Sequence, residues 1–268
     1  MQEEEEFYIG WLAKAPPSFA RRTRQFILVS VLSLPLLICG LVYFQKGFSN
    51  GVFEYGKETS LVGKFTPSPL PFLRLTDKDP VYGQLPPCSI LLVGMGKHGF
   101  AADPNTIPAE STVRVDGFLI YRDGKIALQV KNIALLDKKS PEEGNSPSRP
   151  ALGSTSVSLQ GEITDPKCFL GVMNPGEGKP HQDCAVRCLA GGIPPLMKVR
   201  DEQGKDSYYL LVGENGSPLF PFLQPYVGSG VGLCGLVQAH DNWQILYVDT
   251  TSVQRINKYA LDAGPMCH

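Results

Sequence analysis

The chain has 268 residues, a formal net charge of -1 and a sequence pI near 6.4. A charge so close to zero creates no field that would attract a polyanion, so we expect no nucleic-acid partner. Hydrophobic residues make up 43% and charged residues 19% of the chain, which excludes a wholly disordered protein. The 28 glycines and 23 prolines favour short strands joined by turns, and the sequence therefore predicts a mainly β protein.

The N-terminal segment, residues 1–25, precedes the most apolar part of the chain. It contains an aromatic cluster formed by Phe7, Tyr8 and Trp11. Aromatic side chains of this kind are enriched at membrane–water interfaces and in protein contacts. We therefore interpret the cluster as a contact for the membrane interface or for a partner protein.

Residues 26–44, FILVSVLSLPLLICGLVYF, form an apolar stretch without a single charge. At about 1.5 Å per residue, a helix of this length nearly spans a hydrocarbon core of about 30 Å. The stretch therefore predicts a single transmembrane helix. A cleaved signal peptide is the alternative, and the long preceding segment and the lack of an A-x-A-like cleavage site disfavour it.

Positive charge lies before this stretch, at Arg21, Arg22 and Arg24, whereas only Lys46 follows it directly. Cytoplasmic flanks of membrane spans carry the excess of Lys and Arg. This rule places residues 1–25 in the cytoplasm and sends the rest of the chain across a cell (inner) membrane. We therefore expect the bulk of the chain in the periplasm or an equivalent compartment, where disulfide bonds persist.

Three sequence runs after the apolar stretch occur twice in the same order. The pairs are SLVGKF (60–65) with SLQGEI (158–163), LLVG (91–94) with LLVG (210–213), and VRVDGFLIYRDGKIALQV (113–130) with VGLCGLVQAHDNWQILYV (231–248). The longest pair aligns without a gap, and each member is typical of a strand, a tight turn and a second strand. Chance similarity between β-hairpins is the alternative, which the shared order disfavours. The runs predict a duplication: two tandem small OB-like β-barrels, at 51–136 and 157–256.

The predicted barrels are separated by residues 137–156, whose Ser, Pro, Gly and charged residues indicate a linker or a long surface loop. A C-terminal tail, residues 257–268, follows the second barrel. The second copy also contains an insertion between its first strand and its LLVG strand, which includes residues 168–188, CFLGVMNPGEGKPHQDCAVRC. Additions to a scaffold often carry function, so we place the candidate site in this insertion.

The insertion contains four candidate ligands, Cys168, His181, Cys184 and Cys188. The run HQDCAVRCLAGG predicts a short helix ending at its glycines, which places the last three candidates along one face. Cys168 is expected at the end of the preceding strand, within reach once the loop folds back. Three alternatives remain open: a disulfide staple from Cys168 to either other cysteine, a Zn²⁺ or Cu⁺ site, and a redox-active thiol pair. The oxidising compartment favours the staple.

Several segments of the second copy carry a resemblance to a known type of domain, namely GEITDPKC, HQDCAVRCLAGGIPPL, VGLCGLV and ILYVD. Over about residues 157–256 the chain resembles bacterial extracytoplasmic OB-like domains, which implies an OB-like fold outside the cytoplasm. No Ser-His-Asp or paired-carboxylate constellation is recognisable in the sequence, which disfavours an enzyme. The sequence therefore favours a non-catalytic subunit or accessory factor of a membrane protein complex, respiratory or otherwise redox-active. The alternative is a metal-handling or thiol-redox protein that uses the four candidate ligands.

Overall fold

The structure is a computed structural model, which describes residues 16–45, 51–75, 88–137 and 154–256. The chain divides into two compact units, Met1–Phe48 and Ser49–His268. The described residues of the first unit form one helix, and those of the second are mostly strands. The prediction of a mainly β protein with one apolar N-terminal helix is thus confirmed.

Helix α1 (Pro17–Gln45) contains the apolar stretch Phe19–Phe44, which is long and apolar enough to cross a membrane. None of this stretch is buried inside the protein, although a signal sequence near an N-terminus would have the same length and composition. The helix begins before the predicted span, residues 26–44, and therefore includes the arginines that precede it. The aromatic cluster Phe7, Tyr8 and Trp11 lies outside the described residues.

The described part of the second unit contains eleven strands and four short helical segments. The strands are β1 (Val52–Phe53), β2 (Thr59–Thr66), β3 (Phe72–Leu75), β4 (Ser89–Val93), β5 (Thr112–Arg122), β6 (Lys125–Asp137), β7 (Thr155–Thr164), β8 (Leu196–Arg200), β9 (Asp206–Gly213), β10 (Gly230–His240) and β11 (Trp243–Arg255). The first residues of β5, TVRV, alternate between covered and exposed positions, as expected of a strand with one face on a core.

Strands β2 to β6 pair in a closed ring. Strand β2 pairs with β3, β3 with β4, β4 with β6, β6 with β5, and β5 with β2. The β4–β6 pair is parallel and the others are antiparallel, while β1 adds to β5. Strands β7 to β11 form a closed barrel in the same order, β7-β8-β9-β11-β10, with β9 and β11 parallel. The two halves of the second unit therefore share one pairing order.

Equivalent glycines occupy equivalent places in the two halves. A Cβ atom on Gly117 would lie 2.3 Å from the carbonyl oxygen of Gln129, and one on Gly235 would lie 2.3 Å from that of Tyr247. The long aligned sequence pair matches these glycines with each other. Since no side chain fits against a backbone at that distance, the repeated glycine has the same cause in both halves.

Each half has a core of its own, and a third core cluster joins the halves. In this shared cluster, Phe72 and Ile120 of the first half pack with Phe169 and Trp243 of the second. Strand β6 ends at Asp137 and strand β7 begins at Thr155, so both strands overlap the ends of the predicted linker, residues 137–156. Residues 138–153 and the predicted tail, 257–268, lie outside the described residues.

Polar contacts between the halves are reciprocal. The Ser89 hydroxyl donates to Oδ2 of Asp241 at 2.6 Å, and the Tyr208 hydroxyl donates to Oδ2 of Asp123 at 2.5 Å. Ser89 and Tyr208 both precede an LLVG run by two positions, and both aspartates begin a hairpin turn with φ of +49°. Each hairpin turn therefore docks on the third strand of the other half.

Candidate functional site

The insertion lies between β7 and β8 and consists of a π-helical turn (Cys168–Val172), a 3₁₀ turn (Lys179–His181) and helix α2 (Gln182–Ala190). The predicted short helix is confirmed, and it ends where Gly191 donates its backbone N–H to the carbonyl of Arg187 at 3.1 Å. Cys168 was expected at the end of a strand, but β7 stops at Thr164. The reason is the carboxylate of the intervening Asp165, which accepts the N–H of Cys168 at 2.8 Å and so starts a helical turn there.

The three cysteines of the insertion meet in one cluster. The Sγ atoms of Cys168, Cys184 and Cys188 all lie within 4.8 Å of one another. The Sγ atoms of Cys168 and Cys184 are 3.9 Å apart, and all three cysteines are free thiols. A disulfide bond requires about 2.05 Å between the sulfurs, so the expected staple is not formed in this structure. Cys168 and Cys188 are buried, and Cys184 is half-buried.

His181 occupies a neighbouring position and not the centre of the thiol cluster. Its Nε2 lies 2.8 Å from Oδ2 of Asp165, and both side chains are buried. Ligand atoms of Asp165, Cys168 and His181 lie within 4.8 Å of one another, so Cys168 belongs to two overlapping groups. Nδ1 of His181 is buried and has no hydrogen-bond partner among the described residues. The four candidate ligands therefore comprise a cluster of three thiols and an adjacent histidine, which is paired with the carboxylate of Asp165.

Two lysines border the thiol cluster. Nζ of Lys97, from the loop after β4, lies 2.7 Å from Sγ of Cys184. Lys167 is only 2% exposed, and its Nζ donates to the carbonyls of Gly94 and Gly96 at 2.7 and 2.6 Å. Burial lowers the pKa of Lys167, and the cysteines next to it oppose this effect. The first half thus contributes a loop and a positive charge to a site whose thiols come from the second.

The buried thiols differ in acidity because of their mutual contacts. The hydrogen bond with Cys188 raises the pKa of Cys168, and burial raises it further. The same hydrogen bond lowers the pKa of Cys188, and the nearby Lys97 adds to the lowering. In this coupled pair, the pKa of Cys188 is therefore lower than that of Cys168, so Cys188 is the first of the two to lose its proton. A thiolate is the form in which cysteine binds metals and attacks electrophiles.

The two lysines and Asp165 were not predicted from the sequence as parts of the site. Lys97 lies far from the insertion in the chain, and no spacing pattern connects it with Cys184. Asp165 and Lys167 lie within three residues of Cys168, and that proximity is the signal that could have included them. Comparisons of the chain with protein-family models, with curated proteins and with solved structures found no match.

Proposed function

We propose that this chain is a membrane-anchored protein that binds a thiophilic metal ion, Zn²⁺ or Cu⁺, at Cys168, Cys184 and Cys188. In this proposal it is an accessory factor of a membrane protein complex and not an enzyme. The distance between two of the thiols carries the proposal. Two sulfurs that are each about 2.3 Å from a tetrahedral Zn²⁺ lie about 3.8 Å apart. The Sγ atoms of Cys168 and Cys184 lie 3.9 Å apart, which is the spacing of two thiolates on one metal ion.

The surroundings of the thiols also suit a metal–thiolate group. Soft thiolates select Cu⁺ and Zn²⁺ among the available metals. Three thiolates would bring more negative charge than either ion neutralises, and the ammonium groups of Lys97 and Lys167 lie beside them to compensate. A Zn²⁺ ion would need a fourth ligand, and His181, next to Cys168, has an Nδ1 with no partner among the described residues and a carboxylate on its other nitrogen. Metal-binding histidines commonly have such a carboxylate partner.

The proposed location rests on the N-terminal helix and its flanks. Arg21, Arg22 and Arg24 precede the most apolar part of α1, which favours a cytoplasmic N-terminus and an extracytoplasmic β part. Cys234 of β10 is disulfide-bonded, a state that persists in oxidising compartments. The shared pairing order of the halves, with the third and fifth strands parallel, supports two tandem OB-like barrels.

Metal binding is tested on the full chain, purified in mild detergent under reducing, anaerobic conditions. We expect one equivalent of Zn²⁺ or Cu⁺ by elemental analysis, and an intense sulfur-to-metal absorption band after Co²⁺ replaces the ion. The variants Cys168→Ser, Cys184→Ser and Cys188→Ser should each weaken Co²⁺ binding at least about tenfold. Cys88→Ser is the matched control, since Cys88 is a free cysteine outside the cluster, and it should bind like the parent.

Two results would contradict the metal site: no bound ion in a protein with three reactive thiols in the insertion, or Co²⁺ binding unaffected by all three variants. A thiol count in denaturant without reductant separates the alternatives. A disulfide staple would remove two of these three thiols from the count, whereas a bound metal would leave all three. For the accessory role, gentle solubilisation of the membrane should recover the chain in a larger complex, and recovery only as a free monomer would argue against it.

A further inference from the structure

The contact between Lys97 and Cys184 is unlike the other lysine contacts of the described residues. Nζ of Lys97 and Sγ of Cys184 are 2.7 Å apart. That distance is normal for a nitrogen and an oxygen, but it is short for a nitrogen and the larger sulfur atom. Elsewhere in the described part of the chain, the lysines with side-chain contacts donate to oxygen atoms, as Lys131 does to Glu58. Lys97 has no carboxylate among its described partners.

Both backbones that carry this pair are fixed in place. Gly99 donates its N–H to the carbonyl of Gly191 at 2.8 Å, which ties the Lys97 loop to the end of α2. A Cβ atom on Gly191 would lie 1.8 Å from the carbonyl oxygen of Lys97, so the two backbones touch directly. Lys167 holds the same loop through the carbonyls of Gly94 and Gly96. Two groups held at a short distance react as if at very high concentration.

The pair is also accessible to a small oxidant. Lys97 is exposed, and Cys184 is the half-buried member of the thiol cluster, whereas Cys168 and Cys188 are buried. A dioxygen molecule can therefore reach Cys184 from solvent. A direct sulfur–nitrogen bond would require a much shorter separation than 2.7 Å, while one bridging oxygen atom fits between the two atoms.

We propose that Lys97 and Cys184 form an oxidation-dependent covalent N–O–S bridge that links the two halves of the β unit. One lysine ammonium, one cysteine thiol and one dioxygen yield the Nζ–O–Sγ bridge, one water and one proton. Two N–H bonds of the ammonium, the S–H bond and the O–O bond break, and an N–O bond, an O–S bond and the two O–H bonds of water form. Sulfur and nitrogen each lose two electrons, and these four electrons reduce dioxygen. One of its oxygen atoms enters the bridge and the other leaves as water.

The bridge does not depend on the proposed metal site, although both use Cys184. In a metal-loaded protein, formation of the bridge would remove one of three sulfur ligands and weaken metal binding. The bridge is therefore tested on the full chain in detergent with a chelator present and no metal added. Failure of metal binding and failure of bridge formation then remain separate results.

The reduced protein is transferred to air-saturated buffer and followed by intact-mass analysis. We expect a species heavier than the reduced chain by one oxygen atom less two hydrogen atoms, which reverts with a thiol reductant. Trypsin should no longer cut after Lys97, and tandem mass spectra should join the Lys97 and Cys184 peptides. Lys97→Arg and Cys184→Ser should abolish this species, while Cys88→Ser, which alters a cysteine outside the cluster, should retain it.

Three outcomes would overturn the proposal. The first is a loss of two hydrogens without a gain of oxygen, which indicates a disulfide or a direct S–N bond. The second is oxygen addition on Cys184 with normal cleavage after Lys97, which indicates a sulfur oxyacid alone. The third is a chain that stays fully reduced in air. Lys97→Arg keeps a positive charge next to Cys184, so a bridged mass in that variant would also contradict the assignment.

Discussion

At the scale of single residues, Asp165 connects the two parts of the insertion. Its carboxylate accepts the backbone N–H of Cys168 through Oδ1 and contacts Nε2 of His181 through Oδ2, and it is fully buried. One side chain therefore starts the turn that presents the first thiol and also orients the histidine. The position of Cys168 thus depends on a residue that is not itself part of the thiol cluster.

We predict that Asp165→Ala lowers the free energy of unfolding by about 2–4 kcal/mol, because two buried groups lose their hydrogen-bond partner. Urea unfolding followed by the β signal in far-UV circular dichroism measures the change. Glu202→Ala, which alters an exposed turn residue, is the control and should change the value by less than about 0.5 kcal/mol. An effect of Asp165→Ala as small as that of the control would show that the contacts are not needed to hold the insertion.

At the scale of secondary-structure elements, strands β2 and β7 each carry a glycine that lies against the backbone of the next strand, β3 or β8. A Cβ atom on Gly63 would lie 2.4 Å from the carbonyl oxygen of Arg74, and one on Gly161 would lie 2.1 Å from that of Lys198. These distances are far below any tolerated contact, so the β2–β3 and β7–β8 pairs depend on glycine.

We predict that Gly63→Ala and Gly161→Ala each destabilise the β unit by about 1–3 kcal/mol, because a neighbouring strand must move. Thermal unfolding midpoints provide the measurement. Lys64→Ala is the matched control, since Lys64 is the exposed neighbour of Gly63 on the same strand, and it should leave the midpoint nearly unchanged. If Gly161→Ala behaved like this control, the close approach of β7 and β8 would be wrong.

The hairpin of β8 and β9 should show a specific acid sensitivity. Arg200 donates to both carboxylate oxygens of Asp206, at 2.7 and 2.8 Å, and these hydrogen bonds lower the pKa of Asp206 from 3.8. A carboxyl group with a lowered folded-state pKa stabilises the fold above its unfolded value, near pH 4, and this stabilisation is lost as the pH falls through the folded value.

We therefore predict that Asp206→Asn is less stable than the parent at pH 7, by about 0.5–1 kcal/mol, because the Arg200 side chain of the lost ion pair is exposed to solvent. The difference should shrink between pH 4 and pH 2, where the parent protein loses the same interaction. Urea midpoints of both proteins across this range measure it. A difference that stayed constant down to pH 2 would mean that Asp206 does not have the lowered pKa.

At the scale of the whole molecule, the sequence predicted the local features and missed those that need both halves. The strands, the paired hairpins and helix α2 follow from residue alternation, turn residues and the terminal glycines, all of which act over a few positions. The predicted set of four ligands contained the three thiols that meet in the structure. Lys97 and Lys167 could not be predicted, because their roles depend on how one half packs against the other.

The same packing joins the two halves in a way that the repeat pattern did not predict. Residues of both halves form one shared core, with Trp243 fully buried within it. Nε1 of Trp243 donates to the carbonyl of Ser89 at 2.9 Å, so this side chain contributes both apolar contact and a polar link between the halves. A repeat pattern in the sequence contains no information about such a contact, because each copy looks complete by itself.

We predict that the two halves unfold in one cooperative step. The chain has two tryptophans, so Trp11→Phe leaves Trp243, positioned between the halves, as the sole tryptophan, which is excited selectively at about 295 nm away from the tyrosines. Its fluorescence change in urea should coincide with loss of amide-exchange protection in β2–β6 and in β7–β11. Trp243→Ala should lower the free energy of unfolding by about 3–5 kcal/mol and expose both sets of strands together, since it removes a shared contact. If β2–β6 exchanged at a lower urea concentration than β7–β11, the halves would be independent domains, and the first half could not hold Lys97 against the thiols of the second.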